Sequence, residues 1–375
     1  MPRPSGISGN SMTPTSDRTH AVPRAHSFRE IGVRGLRVLL AGGALCLAAC
    51  AATGEKAGGV SAGPGRTGTG NTGAAIAKND VEAADWYRQA AEDGVPGAMV
   101  DYAYMILYGR GVEGNAEAAA AWLRKAVDRE SARAMAVLGV LYLEGRGVPE
   151  DKAEGVRLIR LAAEKGDPLG MRNLGALHEH GLTVGGKVLQ ARDGGEAVRL
   201  YRRIAEMGDS AAQAFLASML LRGDGGVKDD AEGLVWLRKS ADQGYGPAQS
   251  HLGHLHEKGE IVPRSSEEAA RWYRRSAESG YARGQVRWAL ALAAGKGVGR
   301  NDEEAVRWLR LAAGQNDAWG QTELASMIME GRGAACDLTE ADALAEKAAR
   351  QAYGEAKLLL GRLRDRKQPP ACPAS

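Results

Sequence analysis

The chain repeats itself. Seven units run without interruption, Pro96–Ser131, Ala132–Asp167, Pro168–Asp209, Ser210–Tyr245, Gly246–Tyr281, Ala282–Asp317 and Ala318–Tyr353; six are 36 residues long and the third has 42. Self-similarity at such a period marks a solenoid, in which each unit buries its apolar face only by stacking on its neighbours.

The recurring residue types explain the unit physically. Its fourteenth place is always glycine (Gly109, Gly145, Gly181, Gly223, Gly259, Gly295, Gly331), as expected where a first helix ends in the left-handed conformation. Six places earlier only small residues occur: Ala103, Gly139, Gly175, Ala217, Gly253, Ala289 and Ala325. A place that never exceeds alanine predicts a close helix–helix contact. The residue just before it is a bulky anchor: Tyr102, Leu138, Leu174, Leu216, Leu252, Trp288 or Leu324. The second half opens on acidic or polar residues, as in Asn301-Asp-Glu-Glu304, which suit a helix N-terminus. An apolar pair follows (Trp122-Leu123, Leu158-Ile159, Leu200-Tyr201, Trp236-Leu237, Trp272-Tyr273, Trp308-Leu309), with small residues four places on completing a helical stripe. Each unit is expected to be helix, glycine-marked loop, helix, short turn.

Two strings carry a resemblance. Leu138-Gly-Val-Leu-Tyr-Leu-Glu-Gly-Arg-Gly-Val-Pro149 and Ala305-Val-Arg-Trp-Leu-Arg-Leu-Ala-Ala313 are similar to Sel1-like repeats, relatives of the tetratricopeptide repeat. The loop signature Gly-Arg-Gly-Val recurs at 109–112 and 145–148, with Gly295-Lys-Gly-Val298 as a variant; the fourth, fifth and seventh units depart locally (Gly223-Asp-Gly-Gly226, Gly259-Glu-Ile-Val262, Gly331-Arg-Gly-Ala-Ala-Cys336). The resemblance implies an all-α, right-handed solenoid of stacked helix-turn-helix repeats that binds other proteins. It implies no chemistry. Asp80–Val95 matches a second helix without its first, and Gly354–Leu363 a first helix without its second, the half-units that should shield the ends of the array.

The N-terminus speaks of export. Arg34 and Arg37 precede the apolar stretch Val38–Ala49, too short to span a bilayer as a mature helix, and small residues stand before the break. Leu47-Ala-Ala-Cys50 also resembles a bacterial lipobox, which implies that Cys50 is acylated and becomes the first residue of the mature protein. The other readings are an ordinary signal peptide containing a cysteine, or a short uncleaved anchor. By analogy with the family, the absence of aspartate after Cys50 favours an outer-membrane anchor facing the periplasm. The long leader leaves Met12 as a second candidate start. The expected organisation is a leader over 1–49, a Gly/Ala/Thr-rich tether over 50–79, the array over 80–364 and a tail over 365–375.

Charge agrees with this division. Of 49 basic and 46 acidic residues the leader holds six and two, so the mature chain carries a formal charge of −1. It has no block of like charges, and nucleic-acid binding has little support.

Candidate chemistry is thin. His251 and His254 share a helical face, and His178, His180 and His256 lie on predicted first helices, but His178 and His256 occupy the slot of Tyr142 and read as structural substitutions. No catalytic, metal or cofactor-binding residue is assigned. The glycines follow no strand and end in no Gly-Lys-Ser/Thr phosphate loop. Relatives of the family have been associated with penicillin-type chemistry, for which this chain lacks Ser-x-x-Lys, Ser-Asp-Asn and Lys-Thr-Gly. The extra residues of the third unit, within Leu182–Asp193, are expected to be a surface loop, of binding significance or simply tolerated.

Three functions stay open. The leading one is a lipid-anchored envelope scaffold presenting a concave helical surface to a protein of the envelope or a secreted protein. The second is a component of polysaccharide export or envelope assembly, because the alginate-export lipoprotein family has a similar anchor-plus-repeat design. The third and weakest is an envelope hydrolase. A disulfide is also expected: with Cys50 lipidated, the mature chain keeps Cys336 and Cys372, both just beyond first helices that emerge on the same edge of adjacent units.

Overall fold

The computed structural model describes residues 73–226 and 228–366 of the 375-residue chain. Helix α1 spans Gly73–Glu92, and the seven units then contribute α2 (Pro96–Tyr108) with α3 (Ala116–Val127), α4 (Ala132–Glu144) with α5 (Lys152–Glu164), and α6 (Pro168–His180) with α7 (Gly194–Glu206). They continue with α8 (Ser210–Arg222) and α9 (Asp230–Asp242), α10 (Gly246–Lys258) and α11 (Ser266–Glu278), α12 (Ala282–Ala294) and α13 (Asp302–Gly314), then α14 (Ala318–Glu330) and α15 (Leu338–Arg350). Helix α16, Gly354–Arg366, closes the array. Even-numbered helices are the first helices of their units and odd-numbered ones the second. Successive helices pack in chain order, which is the expected α-solenoid.

Local chemistry marks every joint. Six unit glycines end their first helices in the left-handed region, with φ from +62° at Gly109 to +76° at Gly223. Each second helix from α3 to α15 starts at a polar cap (Asn115, Asp151, Asp193, Asp229, Ser265, Asn301, Asp337) whose side-chain oxygen accepts a backbone N–H of the first turn. The small eighth place is a contact. A Cβ on Gly139 would stand 2.8 Å from Cγ1 of Ile159, one on Gly175 2.9 Å from Cε1 of Tyr201, and one on Gly253 2.6 Å from Cδ1 of Tyr273.

The second glycine of Gly-x-Gly has a different task. Gly111, Gly147, Gly297 and Gly333 have positive φ, and a Cβ there would come within 2.0–2.1 Å of the carbonyl oxygens of Asp80, Ala116, Ser266 and Asp302. Each docks its loop on the preceding second helix, at the first residue of α3, α11 and α13 and at Asp80 within α1. The residue between the glycines fastens the joint: Arg110 and Arg332 donate to Asp80 and Asp302 at 2.9 Å, and Arg146 to the Leu107 carbonyl at 2.8 Å.

Buried amides tie the second half of the array together. The fourth place of the first helix is methionine in the first three units (Met99, Met135, Met171) and glutamine in the last four (Gln213, Gln249, Gln285, Gln321), all at most 6% exposed. Gln213 and Gln249 donate to the carbonyls of Ala205 and Ala241 at 3.1 and 3.0 Å, ends of the preceding second helices. Gln213, Gln285 and Gln321 accept in turn from Gln243, Gln315 and Gln351 at 2.8–3.0 Å. Ser240 and Ser276 add hydroxyl bonds to the carbonyls of Ser210 and Gly246. These bonds satisfy groups whose burial alone would be unfavourable, although the Gln249 side-chain oxygen has no hydrogen-bond partner among the described residues.

The third-unit segment is not a loop. Leu182–Val184 (β1) and Lys187–Gln190 (β2) pair antiparallel across Gly185-Gly186, both at positive φ as a tight two-residue hairpin requires. Gly181 therefore leaves α6 with ψ 165°, feeding a strand instead of the usual left-handed cap. Leu182 is buried against α5 and α6, and Arg160 of α5 donates to the Leu189 carbonyl at 2.9 Å and the Gln190 side chain at 2.7 Å.

The ends differ slightly from expectation. Helix α1 begins at Gly73, seven residues before Asp80, because Ala74, Ala75 and Ala77 are strong helix formers. Helix α16 runs three residues past Leu363. Cys336 is disulfide-bonded, and its partner, like Cys50 and Cys372, lies outside the described residues.

Candidate functional site

Successive first helices also touch one another, α4 with α6, α10 with α12, α12 with α14 and α14 with α16, whereas second helices make no comparable contacts. The first helices thus form the shorter, inner layer, and the array curves around them.

On this layer two kinds of place can be told apart. The tenth residue of each first helix is always apolar and buried: Met105, Leu141, Leu177, Met219, Leu255, Ala291, Met327. The sixth is different in every unit: Asp101, Val137, Asn173, Phe215, His251, Arg287, Glu323. The ninth varies almost as freely, through Tyr104, Val140, Ala176, Ser218, His254, Leu290 and Ser326. Packing dictates the first set; the second ranges from buried residues such as Val137, Asn173 and Ala176 to partly exposed ones, and no single residue type is required there. A surface whose framework repeats while its chemistry does not is the natural seat of recognition.

Residues at and beside these places form three groupings. In the first two units Arg133 lies 3.3 Å from Asp101 and over the ring of Tyr104, which stacks on Tyr108 with centroids 6.2 Å apart. Burial raises the carboxyl pKa of Asp101, and Arg133 pulls it back.

The central grouping spans α6 and α8. Buried Glu179 accepts from Arg222 at 2.7 Å and from the Tyr201 hydroxyl at 3.4 Å, and Arg222 also donates to Asp224 and Ser218. His180 stands 4.0 Å from Glu179, its pKa lowered chiefly by burial.

The third grouping joins units five to seven. Glu257 accepts from the Tyr273 hydroxyl at 2.8 Å and lies 3.5 Å from Nδ1 of His254 and 3.6 Å from Arg287. His254, the Tyr273 hydroxyl and Arg287 hold its carboxyl down at about 2. Arg287 lies between the rings of Tyr273 and Trp319, 5.4 and 5.6 Å from their centroids. The Trp319 indole donates to Glu323, whose pKa is raised by burial. Beside them His251 is pushed down to about 4 by burial and by the neighbouring His254, Arg222 and Arg287.

The histidines therefore divide. His251, His254 and His180 belong to the inner face. His178 and His256 hold their own units' loops, with Nδ1 at 3.2 Å from the Gln190 amide and the Pro263 carbonyl respectively. Among the described residues no three His, Cys, Asp or Glu side chains gather in a way that could hold a metal ion. The arrangement offers fixed cations, carboxylates and aromatic rings along one face, suited to the side chains of a bound polypeptide. Sequence reasoning placed recognition on a concave surface and missed its individual residues. The signal was present, because aligning the units exposes the sixth and ninth places as the ones that never settle.

Comparison with known proteins agrees with the solenoid fold. The chain is similar to a Sel1 repeat protein from Oxalobacter formigenes, at 26% identity over 88% of this chain and 93% of that one, with a TM-score of 0.57. It also matches a protective antigen of uropathogenic Escherichia coli strains displaying an SLR fold, at 24% identity over 79% and 83% of the two chains, with a TM-score of 0.29. No curated protein matches the chain. The Sel1 repeat pattern matches residues 69–95, 96–131, 132–167, 168–209, 210–245, 246–281, 282–317 and 320–353, each unit read above together with the half-unit before them, and the chain belongs to the Sel1 repeat family.

Proposed function

We propose that this Sel1 repeat scaffold is a lipid-anchored protein of the cell envelope that binds a protein partner along its inner, first-helix face. The observation that carries the reading is the contrast between the repeating tenth place and the unrepeating sixth and ninth places of the first helices. Structural need explains the former and not the latter. Conserving seven stacked hairpins while varying one stripe yields a rigid surface of particular chemistry, and rigid presentation lowers the entropy lost on binding. Export and anchoring rest on the string Leu47-Ala-Ala-Cys50 after its basic and apolar leader, and acyl chains contribute roughly 0.8 kcal/mol of membrane affinity per buried CH₂.

Photo-crosslinking groups placed at Val140 and Leu290, with Leu311 on an exposed second-helix face as control, test the binding face in cells. A discrete protein adduct from the two inner positions and none from Leu311 is expected. Identical products from all three would remove the inner face from consideration. Replacing Cys50→Ala tests the anchor separately: loss from the membrane fraction is expected, while unchanged fractionation without lipid mass on the mature N-terminus excludes it.

A further inference from the structure

In six of the seven complete units a small eighth residue is paired with a large apolar one at the twenty-eighth place, which the insertion shifts to the thirty-fourth in the third unit; the seventh pairs Ala325 with Ala345. Where the eighth is Gly139, Gly175 or Gly253, its counterpart is Ile159, Tyr201 or Tyr273; where it is Ala103, Ala217 or Ala289, its counterpart is Leu123, Leu237 or Leu309. At the glycines the large side chain leans on the backbone of the first helix, and at Gly175 and Gly253 it is a tyrosine ring.

The two ends of the array each hold one half of such a pair. Helix α16 has Gly361 at the eighth place, and nothing lies within 4 Å of a Cβ built there. Helix α1 has Tyr87 at the twenty-eighth place, half-buried, whereas Tyr201 and Tyr273 are 1% and 4% exposed. Neighbouring residues tell the same story. Leu358 of α16 is 74% exposed at the fifth place, where Val100, Ala136 and Val286 are fully buried, and Trp86 of α1 is 55% exposed. Isolated exposed apolar residues are ordinary, but these occupy slots that the repeat elsewhere covers.

We propose that a second copy of this chain supplies the missing halves: α16 of one copy packs against α1 of the next, the Tyr87 ring resting on Gly361, so that together they complete a unit. The contact joins different surfaces of the two copies, so it propagates head to tail instead of closing into a two-fold dimer. The inner stripe stays open and runs on from copy to copy.

The full chain in detergent solution tests this. Tyr87→Cys and Gly361→Cys variants are prepared separately and treated with a short thiol-specific crosslinker. A covalent dimer is expected in their mixture and in neither variant alone, with the wild-type chain setting the background. Sedimentation supplies the second arm. Because the space over Gly361 is open, Gly361→Leu should melt like wild type yet weaken self-association about tenfold or more. A chain that sediments as a monomer at every attainable concentration, as it would if its own terminal residues covered both faces, overturns the proposal. So does association indifferent to Gly361→Leu, or a dimer formed by either cysteine variant alone.

Discussion

The ring of Tyr201 on α7 rests directly on the backbone of α6 at Gly175: a Cβ there would stand 2.9 Å from Cε1 and 3.1 Å from Cζ. The contact is structural and also positions the inner face, because the hydroxyl of this buried ring reaches Glu179, the carboxylate that receives Arg222. One glycine thus connects unit packing with the chemistry of the central grouping.

Size matching at this contact is testable by a double-mutant cycle. Gly175→Leu should destabilise the chain by about 1–3 kcal/mol or more, since the helices must separate. Gly175→Ala should cost less, and combining it with Tyr201→Leu, which recreates the Ala103/Leu123 pairing, should recover part of the loss. Denaturant melts decide it. A double variant no more stable than the sum of the singles refutes size matching.

The two glycines of one loop should not be equivalent. Gly145 and Gly147 have φ of +63° and +69°, but a Cβ on Gly145 meets Glu150 Cβ at 3.1 Å, whereas one on Gly147 meets the Ala116 carbonyl oxygen at 2.1 Å. Either alanine substitution carries the left-handed penalty, on the order of 1 kcal/mol. Gly147→Ala must also push two units apart, and its loss should exceed that of Gly145→Ala by at least about 1 kcal/mol. Comparable melting temperatures for the two variants would contradict the docking role.

Acid should weaken the array partly through His251. Its pKa falls from the ordinary 6.5 to about 4 in the folded chain, so the unfolded chain binds the extra proton between those values. Its contribution to stability is intact above about pH 6.5 and is lost as pH drops towards 4. The groups facing it, His254, Arg222 and Arg287, are all basic, and none offers compensation. Stability measured from pH 7 to pH 4 should decline less steeply in His251→Gln than in wild type. Parallel profiles would assign the acid sensitivity elsewhere.

For the disulfide of Cys336 we propose Cys372 as partner. Peptide mapping under non-reducing conditions should recover the two linked, and reduction should lower stability by roughly 3–4 kcal/mol on the chain-entropy argument, less if the tail contributes little. Cys336 linked to Cys46 or Cys50 instead would exclude the pairing.

Most of the framework was legible in the sequence because it is enforced locally and repeatedly. A glycine that ends a helix, a polar cap and a small residue in the first helix recur at a fixed spacing, and seven copies average away the ambiguity of any one. Gly185-Gly186 between Thr183-Val184 and Val188-Leu189 was an available hairpin signal, obscured because the surrounding period argued for helices and loops alone.

By itself, then, the sequence determined the unit, its number and its helical nature, since these follow from residue types a few places apart. Tertiary structure decided what lies opposite what across units. It revealed that the second glycine of each Gly-x-Gly docks on a neighbouring helix, that Gln213 and Gln243 bond across a buried joint, and that Arg287, Glu257, Tyr273 and Trp319 converge from three units. Such contacts depend on how far one hairpin is shifted and rotated against the next. That offset is set by the summed packing of whole interfaces, and no short stretch of sequence encodes it.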